Sequence, residues 1–244
     1  MKTFRIISLC PSTTATLIDL GLKECIVGRT KFCIHPKEEV KDIAKVGGTK
    51  NPKFEKIKAL NPTHILFNME ENEAMHLELM QEIAETVVTT PVDIQSTKQM
   101  IEIFGELFHV SEKAKQLCTE IDMCVSNLPK YPPFSYLYFI WNEPHMVAGK
   151  HTYIDFMLSL IGGRNKANEL SDERYLEVKG KPQADYVFLS SEPFPFKDKH
   201  IETYKKFSDQ VHLIDGEMVS WHGSYTIKGL QYLKSYFNTL FQKN

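Results

Sequence analysis

The sequence predicts an α/β protein of two lobes joined by one long helix. Three observations carry that expectation. A strand-and-turn passage occurs twice, as Asn61-Pro62-Thr63-His64-Ile65-Leu66-Phe67-Asn68-Met69-Glu70-Glu71 and as Ala184-Asp185-Tyr186-Val187-Phe188-Leu189-Ser190-Ser191-Glu192. Each copy lies downstream of an amphipathic segment that stops at a glycine, Ala15 to Gly21 and Ile154 to Gly162. Between the copies, Ala114, Leu117, Ile121, Val125 and Leu128 recur at steps of three and four, the period of an amphipathic helix. That helix is about 16 residues long, hence roughly 24 Å at 1.5 Å per residue. A rigid strut of this length disfavours large hinge closure, and a cleft between two lobes is where a ligand binds. The expected bounds are 1–95 for the first lobe, 96–130 for the helical linker and 131–244 for the second lobe.

Each element follows in order. Residues 4–9 read as a strand, and Ser12-Thr13-Thr14 offer N-caps for a helix carrying Leu17, Ile18 and Leu20. Cys25 to Gly28 form a second strand, and 29–50, with Pro36 and the Gly47-Gly48 pair, reads as loop. Phe54, Ile57 and Leu60 share a helix face that Asn61-Pro62 ends. Ile65 to Phe67 are the next strand, Leu77, Met80 and Ile83-Ala84 the next helix, and Val87-Val88 a further strand. Such alternation implies a parallel sheet covered by helices. Ser96-Thr97-Lys98-Gln99 fits a capping box opening a helix with Ile101, Phe104, Leu107 and Phe108. The strut starts at Ser111, and Pro129, Pro132 and Pro133 close it.

Composition narrows the function. With 244 residues, 42% hydrophobic, the chain can bury two modest cores. A net charge of −2 leaves no basic footprint for nucleic acid. No run approaches the roughly 18 apolar residues of a membrane span. The five cysteines form no C-x-x-C pair and no zinc-like spacing, which fits reduced thiols. A strand begins near residue 4 with no apolar leader before it, so the chain as given is expected in the cytoplasm.

The passages Arg5 to Thr14, Leu20-Gly21, Val27-Gly28, Val46-Gly47-Gly48, Asn51-Pro52 and Glu55-Lys56-Ile57 together resemble a known family. So do Leu189 to His200, Asp215-Gly216-Glu217 and Ser220-Trp221-His222-Gly223-Ser224. The set resembles the helical-backbone metal-receptor superfamily, the class III substrate-binding proteins of ABC importers. The resemblance implies two Rossmann-like lobes on a long helix, a ligand such as cobalamin, haem or a ferric siderophore, and an ABC permease as partner. It further implies a permease-docking glutamate in each lobe, with Glu73 (or Glu71) in the first and Glu192 in the second. Family relatives are usually periplasmic or lipid-anchored, which departs from the cytoplasmic expectation.

Candidate residues come from four places. The Pro11-Ser12-Thr13-Thr14 turn precedes a helix N-terminus, so Ser12 and Thr13 either cap the helix or meet a ligand's anionic or carbonyl group. Glu71 and Asn72 follow a strand at the carboxyl edge where open α/β sheets bind ligands, or form a solvated acidic loop. Trp141 and Trp221, the two tryptophans, end apolar stretches beside polar residues and offer rigid faces for stacking, or else belong to the core. Among nine histidines only His222, next to Trp221, is taken as a ligand contact. No intrinsic cofactor, bare-metal site or catalytic set is expected: no G-x-S-x-G elbow occurs, and neither Cys10 nor Ser12 has a base at a suggestive position. The chain is read as a monomeric binding protein for a metal chelate. A cytoplasmic cofactor handler without a transporter, or an enzyme using the interlobe cleft, are the alternatives.

Overall fold

The computed structural model describes residues 4–242. The chain divides into two compact units, Met1–Ile121 with His222–Tyr225, and Asp122–Trp221 with Thr226–Asn244. The boundary falls inside the helix Ser111–Ser126, which is 16 residues long. Helix Ile94–Leu107, expected to belong to a linker, lies wholly in the first unit and buries Met100, Ile101 and Phe104.

The first unit is a parallel sheet. Its strands are β1 (Ile6–Ser8), β2 (Ile26–Arg29), β3 (Ala44–Lys45), β4 (His64–Asn68) and β5 (Glu85–Thr89), in the order β3-β2-β1-β4-β5. β1 and β4 are buried at every position, as expected of central parallel strands covered on both faces. Ile7, Leu9, Ile57, Ile65, Phe67 and Met80 close one core. Helix Pro11–Asp19 starts one residue before the expected caps: Cys10 is the N-cap and Pro11 the first helical residue. Proline suits that position because its missing N–H is not needed there. The stretch 29–50 is not all loop, since it holds helix Lys37–Val40 and the two-residue β3.

The second unit contains β6 (Phe134–Trp141), β7 (Met146–Ala148), β8 (Gly163–Asn165), β9 (Tyr175–Glu177), β10 (Tyr186–Ser190) and β11 (Val211–Ile214). The order is β11-β10-β6-β7-β9, and β8 pairs with β6. β8, β10 and β11 run parallel to their neighbours, while β7 is antiparallel to both β6 and β9. The repeat read in the sequence is therefore visible as topology: β11-β10-β6-β8 matches β5-β4-β1-β2. Period-two alternation explains β6, where Tyr136 and Tyr138 enter one core and Leu137 and Phe139 the other. The expected helix stops, Gly21 (φ 81) and Gly162 (φ 91), both sit in the left-handed region that side-chain-bearing residues avoid.

Helix Ile94–Leu107 corrects the expected capping box. Asp93, not Ser96, is the N-cap: its carboxylate accepts from the Ser96 N–H at 2.7 Å, and Ser96 Oγ accepts from the Asp93 N–H at 3.1 Å. Asp93→Ala is expected to cost about 1 kcal/mol, the usual price of a lost cap. A urea midpoint that falls at unchanged m-value would show it; an unchanged midpoint would refute the cap's role.

Candidate functional site

In an open α/β sheet, ligands bind at the carboxyl ends of the strands where the strand order reverses. In the first unit that point lies between β1 and β4, and the segments leaving those ends are Leu9 to Ser12 and Asn68 to Asn72. A buried polar cluster forms there. Ser12, at the second helical position, turns its hydroxyl to His222 Nε2 at 3.0 Å rather than capping its own helix. Cys10 Sγ is 3.2 Å from Ser12 Oγ and 3.9 Å from the same imidazole nitrogen. Asn68 Nδ2 completes the set at 3.2 Å from Nε2.

The protonation of the histidine follows from its neighbours. Asn68 Oδ1 accepts the Glu70 and Glu71 N–H groups, both at 3.0 Å, which fixes the amide so that its NH₂ faces His222. An amide NH₂ only donates, so Nε2 is the acceptor and the ring proton sits on Nδ1. The ring is neutral: burial pushes the His222 pKa down to about 4. The same burial, with the Glu71 charge adding to it, pushes the Cys10 thiol up to about 12. With Nδ1 protonated, the ring's one in-plane lone pair, on Nε2, is engaged by Ser12 and Asn68. Ser12 and His222 stand at nucleophile–base distance, but at 3% and 6% exposure an incoming acyl group has no access to the hydroxyl.

His222 reaches this cluster because the segment His222–Tyr225 belongs to the first unit although the chain on both sides of it belongs to the second. Ser224 N–H donates to Thr16 Oγ1 at 3.1 Å. Gly223 (φ 73) lies so close above that a Cβ would come within 2.0 Å of Thr16 Oγ1, so only glycine fits. Asn72, expected to meet a ligand, is buried and fastens loops: Nδ2 donates to the Leu9 and Thr49 carbonyls at 3.0 Å, and Oδ1 accepts the Asn68 N–H at 2.8 Å. Thr13 is buried in the first turn of its helix, and Glu71 is exposed. Glu73 is exposed too, with Lys50 Nζ 3.6 Å from its carboxylate. Around this edge Phe32, Ile34, Met69 and Met75 stand in solvent, at 50%, 49%, 39% and 79% exposure.

In the second unit the order reverses between β6 and β10. Trp221, 8% exposed, donates its indole N–H to Glu192 Oε1 at 3.0 Å, and the Ser220 hydroxyl donates to the same oxygen at 3.1 Å. Ser190 Oγ accepts from the Tyr138 hydroxyl at 3.1 Å and from the Glu192 N–H at 3.3 Å. Burial, then the nearby Glu217 charge, raise the Glu192 carboxyl above its usual range. Trp141 differs: it is 41% exposed at the end of β6, its N–H held by the Glu143 carbonyl at 3.0 Å. The two tryptophans expected to act alike are thus one buried pillar and one solvent-facing ring. Sequence reading missed Asn68 and the Glu192–Trp221 bond. The available signal was that both copies of the repeat close an apolar strand with a polar residue, Asn68 and Ser190. Among the described residues, no three His, Cys, Asp or Glu side chains are grouped so as to hold a bare metal ion, and no helix is long and apolar enough to cross a membrane.

The family model described as "Periplasmic binding protein" matches residues 6–211. The apo periplasmic haem-binding protein RhuT from Roseiflexus sp. RS-1 superposes with a TM-score of 0.79 at 19% identity, covering 96% of this chain and 98% of that one. The periplasmic vitamin B12-binding protein BtuF of Vibrio cholerae gives 0.78 at 19% identity, with 98% of each chain covered. A possible iron-binding (periplasmic solute-binding) protein from Staphylococcus epidermidis ATCC 12228 gives 0.77 at 23% identity, covering 97% and 99%. At these identities the likeness is one of fold. Nothing among curated protein sequences matches the chain.

Proposed function

The chain belongs to the periplasmic binding protein family, and from that premise we propose that it is the substrate-binding component of an ABC importer, taking a metal chelate such as a cobalamin, haem or a ferric siderophore. The observation that carries this reading is the solvent-facing Trp141 indole at the carboxyl edge of the second sheet, at its strand-order reversal. A tethered indole is a low-entropy stacking face for a flat or apolar chelate. Phe32, Ile34, Met69 and Met75 supply similar apolar surface on the first unit's edge. Glu71 is kept as a polar ligand contact. Ser12, Thr13, Asn72, His222 and Trp221 then support the edges from beneath. Of the two docking carboxylates, Glu73 is the one whose exposure suits a permease; Glu192 is occupied by Trp221 and Ser220.

Trp141→Ala tests the reading. Removing the ring is expected to weaken chelate binding by about 1–3 kcal/mol, by analogy with bases stacked on aromatic side chains, which is roughly 5- to 150-fold. Its exposure means stability should change by less than about 0.5 kcal/mol. Titration followed by tryptophan fluorescence quenching measures the wild type and the variant; equal affinity with and without the ring would remove Trp141 from the site.

One observation favours a second reading. All five cysteines are free thiols, which suits a reducing compartment. A cytoplasmic handler of the same chelate, working without a permease, accommodates it. Fractionation of the native host separates the two: recovery outside the cytoplasmic membrane supports the importer component, recovery in the cytosol the handler.

A further inference from the structure

The solvent-facing Trp141 indole is held on two sides. Its N–H donates to the Glu143 carbonyl at 3.0 Å, and the Phe194 ring meets it edge-on, with centroids 5.7 Å apart at 69°. The Phe194 N–H in turn donates to the Ile140 carbonyl at 3.3 Å. Glu143 itself lies in the turn from Asn142 to His145, between the end of β6 and the start of β7. A carbonyl in so short a turn points where the turn's backbone puts it. Whatever holds the turn therefore decides where the indole faces.

His145 is bonded across that turn. The Asn142 carbonyl only accepts, and it lies 2.5 Å from Nδ1, so that nitrogen carries the ring proton. An ammonium only donates, and Lys206 Nζ stands 2.8 Å from Nε2, which is therefore the acceptor. One tautomer satisfies both bonds. The Tyr204 hydroxyl, on helix Ile201–Tyr204, donates to Asn142 Oδ1 at 3.0 Å and lies 3.1 Å from Nδ1. The imidazole packs against the Tyr204 and Phe207 rings, at 5.0 and 5.9 Å between centroids. On the far side of the turn, the His145 carbonyl accepts the Val178 N–H at 2.8 Å.

Resting on the reading of Trp141 as a stacking face, we propose that His145 is its positioning residue: bonded to Asn142 and braced by Tyr204 and Lys206, it fixes the turn that aims the indole before a chelate arrives. A ring already fixed loses little freedom on stacking, whereas a swinging one must be immobilised by the chelate. Immobilising one side chain corresponds to roughly 2- to 12-fold in affinity.

Trp221→Phe leaves Trp141 as the one remaining tryptophan and serves as the reference protein. Time-resolved fluorescence anisotropy then reads the mobility of this indole without any ligand. Absorbance titration with haemin, aquacobalamin and a neutral ferric trihydroxamate reads affinity. His145→Phe keeps a ring against Tyr204 and Phe207 but has neither nitrogen. It is expected to add a picosecond-to-nanosecond component to the anisotropy decay, and to weaken the probes that bind the reference by roughly 2- to 12-fold. His145→Asn keeps an N–H for the Asn142 carbonyl and should recover most of both. Should His145→Phe fail to fold, the surface change Lys206→Met carries the same test with a smaller expected effect. In a Trp141→Ala background His145→Phe should cost no further affinity, because a residue acting through the indole has nothing left to position. An indole as slow in His145→Phe as in the reference, a His145→Asn protein as loose as His145→Phe, or a further loss beyond Trp141→Ala overturns the positioning role and leaves the stacking face in place. Trp141→Ala binding as tightly as the reference, or no probe binding at all, overturns the stacking reading and this inference with it.

Discussion

Lowering the pH from 7 to 4 is expected to cost the fold about 3 kcal/mol through His222 alone. The unfolded chain protonates this imidazole near pH 6.5, whereas the folded protein holds its pKa down at about 4. Between those values the unfolded state binds more protons, so stability rises with pH across the window. The contribution is complete above pH 6.5 and is lost as pH falls towards 4. The geometry states the reason: a protonated Nε2 would point N–H at the Asn68 NH₂, which the Glu70 and Glu71 amides prevent from turning. His222→Gln keeps an acceptor for Ser12 and Asn68 but cannot titrate. Urea unfolding at steps from pH 7 to 4 should show a wild-type slope that the variant lacks by about 3 kcal/mol; parallel curves would mean the imidazole is not held neutral.

Replacing Trp221 by alanine is expected to destabilise the protein by about 3–5 kcal/mol, the usual range for emptying a buried aromatic site. The ring is 8% exposed, and its loss also strips one of the two side-chain donors from a half-buried carboxylate already disfavoured in its charged form. At roughly 2–4 °C per kcal/mol for a protein of this size, the thermal midpoint should fall by roughly 6–20 °C. Trp221→Phe refills most of the volume without the N–H and should recover the larger part of the loss. A Trp221→Ala protein melting within a degree or two of wild type would place this ring outside the core. The contrast with Trp141→Ala, expected to lose binding and keep stability, is what separates pillar from contact.

The repeat was legible because its strands are unbroken apolar runs bounded by strong stops. Ile65-Leu66-Phe67 follows Asn61-Pro62, and Asn61 adopts φ 44 where the preceding helix ends. β3 was not legible: two exposed residues, Ala44 and Lys45, carry no period for a pattern to show. The cap of helix Ile94–Leu107 was read three residues late because Asp93 and Ser96 are both competent caps and bond reciprocally. Pro11 did signal the true start of its helix, yet Ser12 and Thr13 read more strongly as caps. Ser12 and His222 were each named as candidates, but their pairing spans 210 positions and no local pattern encodes it. Nor does the tetrapeptide His222–Tyr225 announce that it packs with the unit its neighbours do not belong to. Which tryptophan is buried depends on Glu192, a partner 29 residues from Trp221 in sequence.

Co-elution is the most direct test of the central claim. The purified protein, incubated in turn with haemin, a cobalamin and a neutral ferric trihydroxamate, is passed over a size-exclusion column while absorbance follows the visible band of each chelate. At least one chelate is expected to travel with the protein at about one per chain. Elution of all three as free small molecules, from protein shown to be folded by its cooperative urea transition, would contradict chelate binding as the function.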